Sequence, residues 1–111
     1  MLNYLDDVSF TLNANARAKG FWDANTEENR IIFYLKQLAM VHSEVSEVLE
    51  AIRKEKGDGL VVEELADIMI RVMDLYAGMA TDGYTKHSLQ QSLQDKVTKN
   101  TERPRMHGVL A

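Results

Sequence analysis

Residues 61–79 read VVEELADIMIRVMDLYAGM, and this stretch decides the fold. Placed at 100° per residue, Val61, Val62, Leu65, Ile68, Met69, Val72, Met73, Leu75, Tyr76 and Met79 cover most of a helical circumference. A helix that apolar packs against more than one neighbour. The remaining side chains, Glu63, Glu64, Asp67, Arg71 and Asp74, fall on one narrow ribbon. Glu64 and Asp67 are three apart, so their carboxylates project from adjacent positions on one face. The predicted helix runs from Val61 to Ala80 and ends before Thr81-Asp82-Gly83.

Working outward, three further helices account for most of the chain, and no segment alternates with the period of a strand. The first is predicted over Leu2–Lys19, closed by Gly20. After the link Phe21–Asn25, Asn25 and Glu28 have capping-box spacing, with Thr26 a competing cap. The second helix then reads from Thr26 to Lys54, about 43 Å at 1.5 Å per residue. A rod that long either kinks or extends beyond its own subunit, and the second option favours an oligomer; Phe33 and Tyr34 are candidates for its interface, with ordinary core packing the expected fate of at least one. The fourth helix is predicted over Thr85–Thr101 and is stopped by Pro104. The expected architecture is a single all-α domain over 1–111, an antiparallel four-helix bundle assembled as a dimer or a dimer of dimers, with an irregular basic tail over about 102–111.

The second helix repeats the acidic spacing in HSEVSEVLEA: Glu44, Glu47 and Glu50 are successive three-residue steps. Glu44 lies at the edge of the apolar stripe of Val41, Val45, Val48, Leu49 and Ile52, so it is the better candidate for a partly buried carboxylate; Glu47 lies outside it. If the two helices pack antiparallel with these faces opposed, four carboxylates converge. Two such charges ~5 Å apart repel by about 3 kcal/mol at an effective dielectric of 20. Oxygen-only ligands select a hard ion, Mg²⁺ with Mn²⁺ as its substitute.

The 111 residues suit one domain, and a single Pro with six Gly leaves few helix breakers. The lack of Cys excludes a disulfide scaffold, a thiolate zinc site and a cysteine nucleophile. No apolar run approaches the ~20 residues of a membrane span, and acids stand at the start of the chain where a signal peptide has bases. A cytoplasmic protein without membrane partners is the expectation. The net charge of −4 argues against nucleic acid as a general partner. That charge is uneven: residues 1–83 carry 8 basic and 15 acidic side chains, residues 84–111 carry 5 and 2. An acidic body with a basic end suits a cation and a polyanion held together.

Glu44-Val-Ser-Glu47 followed by Glu64-Leu-Ala-Asp67 resembles the ExxE…ExxD signature of MazG-like nucleotide pyrophosphohydrolases, all-α relatives of dimeric dUTPases and phosphoribosyl-ATP pyrophosphatases. AKGFWD near the start, and Lys96-xxx-Asn100-xx-Arg103-Pro104-xx-His107-Gly108 near the end, resemble the same family. The chain departs from the commoner ending, in which a basic residue and an aromatic follow His-Gly.

The resemblance implies Mg²⁺-dependent hydrolysis of a nucleoside triphosphate to the monophosphate and pyrophosphate, with nucleotide-pool house-cleaning as its use. It places Glu44, Glu47, Glu64 and Asp67 at metal-ligand positions and Lys96 and Asn100 near the phosphates, with Arg103 as a helper. Glu47 is either a ligand or the general base, and Lys96 offsets phosphate charge. Phe21 and Trp22 are candidates to stack on a base, Lys19 to reach a phosphate and His42 to line the base pocket. For Trp22 and His42, simple packing into the fold is the competing reading. Asp74 either extends the site or pairs with Arg71. The implied assembly is a homodimer or homotetramer. Two alternatives stand beside this reading: dUTPase-like or phosphoribosyl-ATP-pyrophosphatase-like activity on the same fold, and a non-enzymatic helical module whose acidic ribbon is solvated or faces a partner.

Overall fold

A computed structural model of the chain describes residues 4–104, which form four helices and no strand: α1 (Tyr4–Ala18), α2 (Arg30–Arg53), α3 (Asp58–Thr81) and α4 (Leu89–Thr101). As its apolar breadth predicts, α3 is central. It packs against α2 on one side and α1 on another, while α4 lies chiefly against α1. The spatial order α2, α3, α1, α4 makes an open layer rather than a closed four-helix bundle. Its radius of gyration is 16.1 Å, against ~13 Å for a compact chain of this length.

The helix ends differ from the sequence reading for local reasons. α2 starts at Arg30 instead of Thr26, and the Asn25/Glu28 capping box is not formed. The Asn25 side chain instead donates to Asp82 Oδ2 (2.8 Å), and residues 26–29 form a separate turn closed by Asn29 N–H on the Thr26 carbonyl (3.1 Å). α3 starts three residues early, after Gly57, whose φ of 105° suits only glycine. α4 starts at Leu89 because Ser88 supplies a better cap, its hydroxyl accepting from Gln91 N–H (3.1 Å). α1 ends as expected: Gly20 takes φ 83° and Phe21 N–H reaches back to the Ala16 carbonyl (3.0 Å).

The inward face of α1 is polar, which hydrophobic periodicity does not reveal. Asp6, Ser9 and Asn13 are buried there. Asp6 Oδ1 accepts from Gln90 N–H (2.9 Å) while Gln90 Oε1 accepts from Leu5 N–H (2.8 Å), so α1 and α4 cap each other's first turns. The apolar core is Trp22, Phe33, Tyr34 and Leu75, flanked by Ala16 and Met79. Phe33 and Tyr34 therefore pack within their own chain and are not interface residues. Gly78 is what admits Trp22 to α3, since a Cβ there would overlap the indole ring.

What remains outside is patterned. Ile31, Leu35, Leu38, Val45, Leu49 and Ile52 on α2 follow alternating four- and three-residue steps, with His42 filling the one gap, and are 44–60% exposed. Val62, Leu65, Met69 and Val72 on α3 follow the same spacing and are 40–63% exposed. Heptad rows of this kind form the seams of packed helices, and these two are uncovered in the single chain.

Asp82, at the end of α3, ties the layer together. Its Oδ2 accepts from Tyr34 Oη (2.6 Å) and Asn25 Nδ2 (2.8 Å), and it pairs with Arg17 and Arg30 at 3.5 Å each. Burial raises the pKa of this carboxyl, but the two hydrogen bonds and the Arg30 and Arg17 charges outweigh burial and hold it below its ordinary value. Asp82→Ala is expected to lower the unfolding free energy by about 3 kcal/mol in urea denaturation, because it leaves Tyr34 and two guanidinium groups unmatched. A carboxyl depressed in the folded state contributes stability above its unfolded pKa and loses it as pH falls through the folded value. The melting-temperature gap between wild type and Asp82→Asn should thus narrow as pH drops from about 5 to about 2.

Candidate functional site

α2 and α3 form a hairpin joined only by residues 54–57, so their facing sides meet in antiparallel register. Tyr34 meets Asp82 near one end and Glu44 meets Arg71 midway. That register brings Glu44, Glu47 and Glu64 together, with one carboxylate oxygen from each lying within 4.8 Å of the others. Three of the four predicted acids thus converge. Asp67 lies outside the trio and instead lines the adjoining cavity together with Glu44.

The trio is electrostatically uneven. Glu44 is half-buried and its Oε1 accepts from Arg71 Nε at 2.8 Å. The Arg71 hydrogen bond holds its carboxyl low against the opposing effect of burial, helped by a hydrogen bond with Glu47. Glu47 is exposed, and its carboxyl is pushed up by the hydrogen bond to Glu44 and by the charges of Glu44 and Glu64. The half-buried Glu44 and exposed Glu47 follow the sequence expectation. Oxygens sharing one Mg²⁺ lie about 3 Å apart when adjacent and about 4 Å apart when opposite, so side-chain rotation alone brings this trio to an ion. Three oxygen donors with open solvent beside them suit a hard cation that keeps several waters.

A cavity of about 460 Å³ opens beside the trio between α1 and α3; Asn15, Lys19, Phe21, Asp67, Arg71 and Asp74 are among its walls. A second, of about 420 Å³, shares Phe21, Arg71 and Asp74 with it and adds Phe33, Lys36 and Gln37. Each has the size of a small-molecule site, and the exposed Phe21 ring stands between them.

The other predicted residues divide clearly. Lys19 lines the first cavity as expected. Trp22 is only 4% exposed and packs on Phe33 at 4.8 Å between ring centroids, with the Arg17 guanidinium 4.8 Å from the indole. It is a core residue with no free face for a base. Asp74 pairs with neither Arg71 nor any other cation among the described residues; its carboxylate accepts from Trp22 Nε1 (3.1 Å) and Asn13 Nδ2 (2.9 Å). Arg71 goes to Glu44 instead. His42, Lys96, Asn100 and Arg103 are exposed and line neither cavity. His107 and Gly108 of the C-terminal motif lie outside the described residues.

Sequence reasoning missed the Arg71–Glu44 contact because it spans two helices, and spacing within one helix does not register it. For Trp22 it left two readings open, stacking on a base and packing into the fold. The signal that separates them is Gly78, the only small residue in the last apolar turns of α3 that lacks a Cβ and so leaves room for an indole.

Residues 34–107 match the family model of the MazG nucleotide pyrophosphohydrolase domain. This is two thirds of the chain and contains all four predicted ligands, so the protein belongs to the MazG family of nucleotide pyrophosphohydrolases, whose members generally use a divalent metal. Comparison with curated proteins and with solved structures returns no significant match.

The division of the two aromatics is testable. Trp22→Ala should cost about 3–5 kcal/mol of stability, whereas Phe21→Ala should stay within about 0.5 kcal/mol; chemical denaturation of both variants makes the comparison.

Proposed function

We propose that the protein is a Mg²⁺-dependent nucleoside triphosphate pyrophosphohydrolase, converting (d)NTP and water to (d)NMP and pyrophosphate, and that it clears surplus or non-canonical nucleotides from the cellular pool. The observation that carries this reading is the convergence of Glu44, Glu47 and Glu64 beside a cavity walled by Lys19, Asp67 and Arg71, in a chain of the MazG family.

A triphosphate approaches an acidic cluster only with cations between them. Mg²⁺ held by Glu44, Glu47 and Glu64, with Asp67 completing or supporting the set, would polarise the α-phosphoryl group and make an attacking water more acidic. Glu47, the exposed acid of the trio, has a second carboxylate oxygen that would take that water's proton. Water then bonds to the α-phosphorus, the bond from that phosphorus to the bridging oxygen breaks, and pyrophosphate leaves with the electron pair. Lys19 borders the phosphate side of the cavity. Phe21, the exposed aromatic between the two cavities, takes the stacking role that buried Trp22 cannot. Lys96, Asn100 and Arg103, which line neither cavity of the single chain, supply further positive and polar contacts to the leaving phosphates in the assembled protein.

Assembly is the second part of the proposal. The uncovered heptad rows on α2 and α3 suit a homodimer in which two hairpins pack against each other, with a homotetramer as the larger form. dUTP and phosphoribosyl-ATP are the substrates to separate from general (d)NTPs.

A nucleotide panel scored for pyrophosphate tests the chemistry. Wild type with Mg²⁺ should release pyrophosphate and monophosphate, chelation should abolish turnover, and Glu47→Gln and Asp67→Asn should each lower the rate at least ~100-fold. Release of orthophosphate alone, or full activity in both variants, would exclude the reaction. Light scattering tests the assembly: a mass of at least two chains is expected, falling to one in Leu35→Glu/Leu49→Glu. A wild-type mass of one chain at all working concentrations would remove the dimer.

A further inference from the structure

We propose that Arg71 is a positioning residue that stands in for a divalent ion on Glu44 and is transferred to the nucleotide when that ion binds. The proposal rests on the metal-dependent reading above and assigns the order in which charges are exchanged within the site.

Three carboxylates gathered within 4.8 Å need a counter-charge. Among the described residues, Arg71 is the cation in salt-bridge range of the trio, and it engages Glu44 Oε1 at 2.8 Å. This oxygen belongs to the acid whose side chain is 14% exposed, the least hydrated charge to be found on the pair. A divalent ion entering the trio competes for the same carboxylate and repels the guanidinium beside it. Arg71 then has a defined place to go, because its side chain already lines both cavities, and Lys19 and Lys36 border one each. Freed from Glu44, its planar fork faces a chamber walled also by Lys19, and a guanidinium suits phosphate oxygens through paired hydrogen bonds. The arrangement thus links the two ligands: metal binding releases the group that grips the nucleotide, and by reciprocity nucleotide binding makes the metal bind more tightly.

The distinguishing consequence is that removing Arg71 improves metal binding. Isothermal titration with Mn²⁺ alone should give a dissociation constant about three- to five-fold lower for Arg71→Ala than for wild type, the scale of a half-exposed ion pair. Affinity of the Mn²⁺-loaded variant for an α,β-methylene triphosphate should fall by at least about five-fold. Arg71→Lys, which keeps the charge, should return the Mn²⁺ constant to within about two-fold of wild type. A residue that merely held the helices together would move Mn²⁺ affinity the other way when deleted. Unchanged or weaker Mn²⁺ binding in Arg71→Ala, with wild type binding normally, overturns the role given to Arg71 and leaves the enzyme reading standing. Failure of wild type itself to bind Mn²⁺ overturns both. Should Arg71→Ala not fold, Arg71→Gln carries the same test.

Discussion

Asp74 is the joint on which the site is built. Its one carboxylate holds the Trp22 indole and the Asn13 amide, and so fixes α1 and the turn after it against α3. The turn carries Lys19 and Phe21, so these walls of the cavity beside the acidic trio are placed by this contact. A buried tryptophan needs a partner for its N–H and a smooth seat for its ring. Asp74 supplies the first and Gly78, one helical turn further on, supplies the second.

Two groups of acids in the chain have opposite roles. Asp6, Asp74 and Asp82 are satisfied from within the fold by backbone amides, indole, amide, phenol and guanidinium groups. They act as ties between elements. Glu44, Glu47 and Glu64 crowd one another: Glu47 is pushed up by its two neighbours, while the Arg71 hydrogen bond holds Glu44 low. The three aspartates are spaced apart and each is answered by its own donors; the three glutamates are brought together on neighbouring helices, and among the described residues Arg71 pairs with Glu44 alone. The contrast sets the candidate site apart from the scaffold on physical grounds.

Much of this was legible before any coordinates. Helix content, the central position of α3 and the three-residue acidic steps follow from periodicity, because an apolar pattern at 100° per residue reports burial directly. Polar burial is where the reading failed. The inward face of α1 is Asp6, Ser9 and Asn13, which pattern analysis assigns to solvent, and the start of α2 moved because Asn25 found Asp82 across the fold rather than the local backbone. Such contacts join residues far apart in sequence and leave no periodic trace. Asp67 shows the same limit in the site: its spacing from Glu64 matches that of Glu47 from Glu44, yet only interhelical geometry separates a member of the trio from a wall of the cavity.

The mutual capping of α1 and α4 has a mechanical side. α4 is clasped at its root, where Gln90 meets Leu5 and Asp6, whereas every residue from Gln91 to Asn100 is solvent-exposed. It is a boom anchored at one end. Asn100 stands about 15 Å along the axis from that anchor, so a pivot of about 10° at the clasp carries it by nearly ~3 Å. A tilt of the whole rod would turn on the Leu5–Asp6–Gln90 clasp and carry Lys96 and Asn100 together.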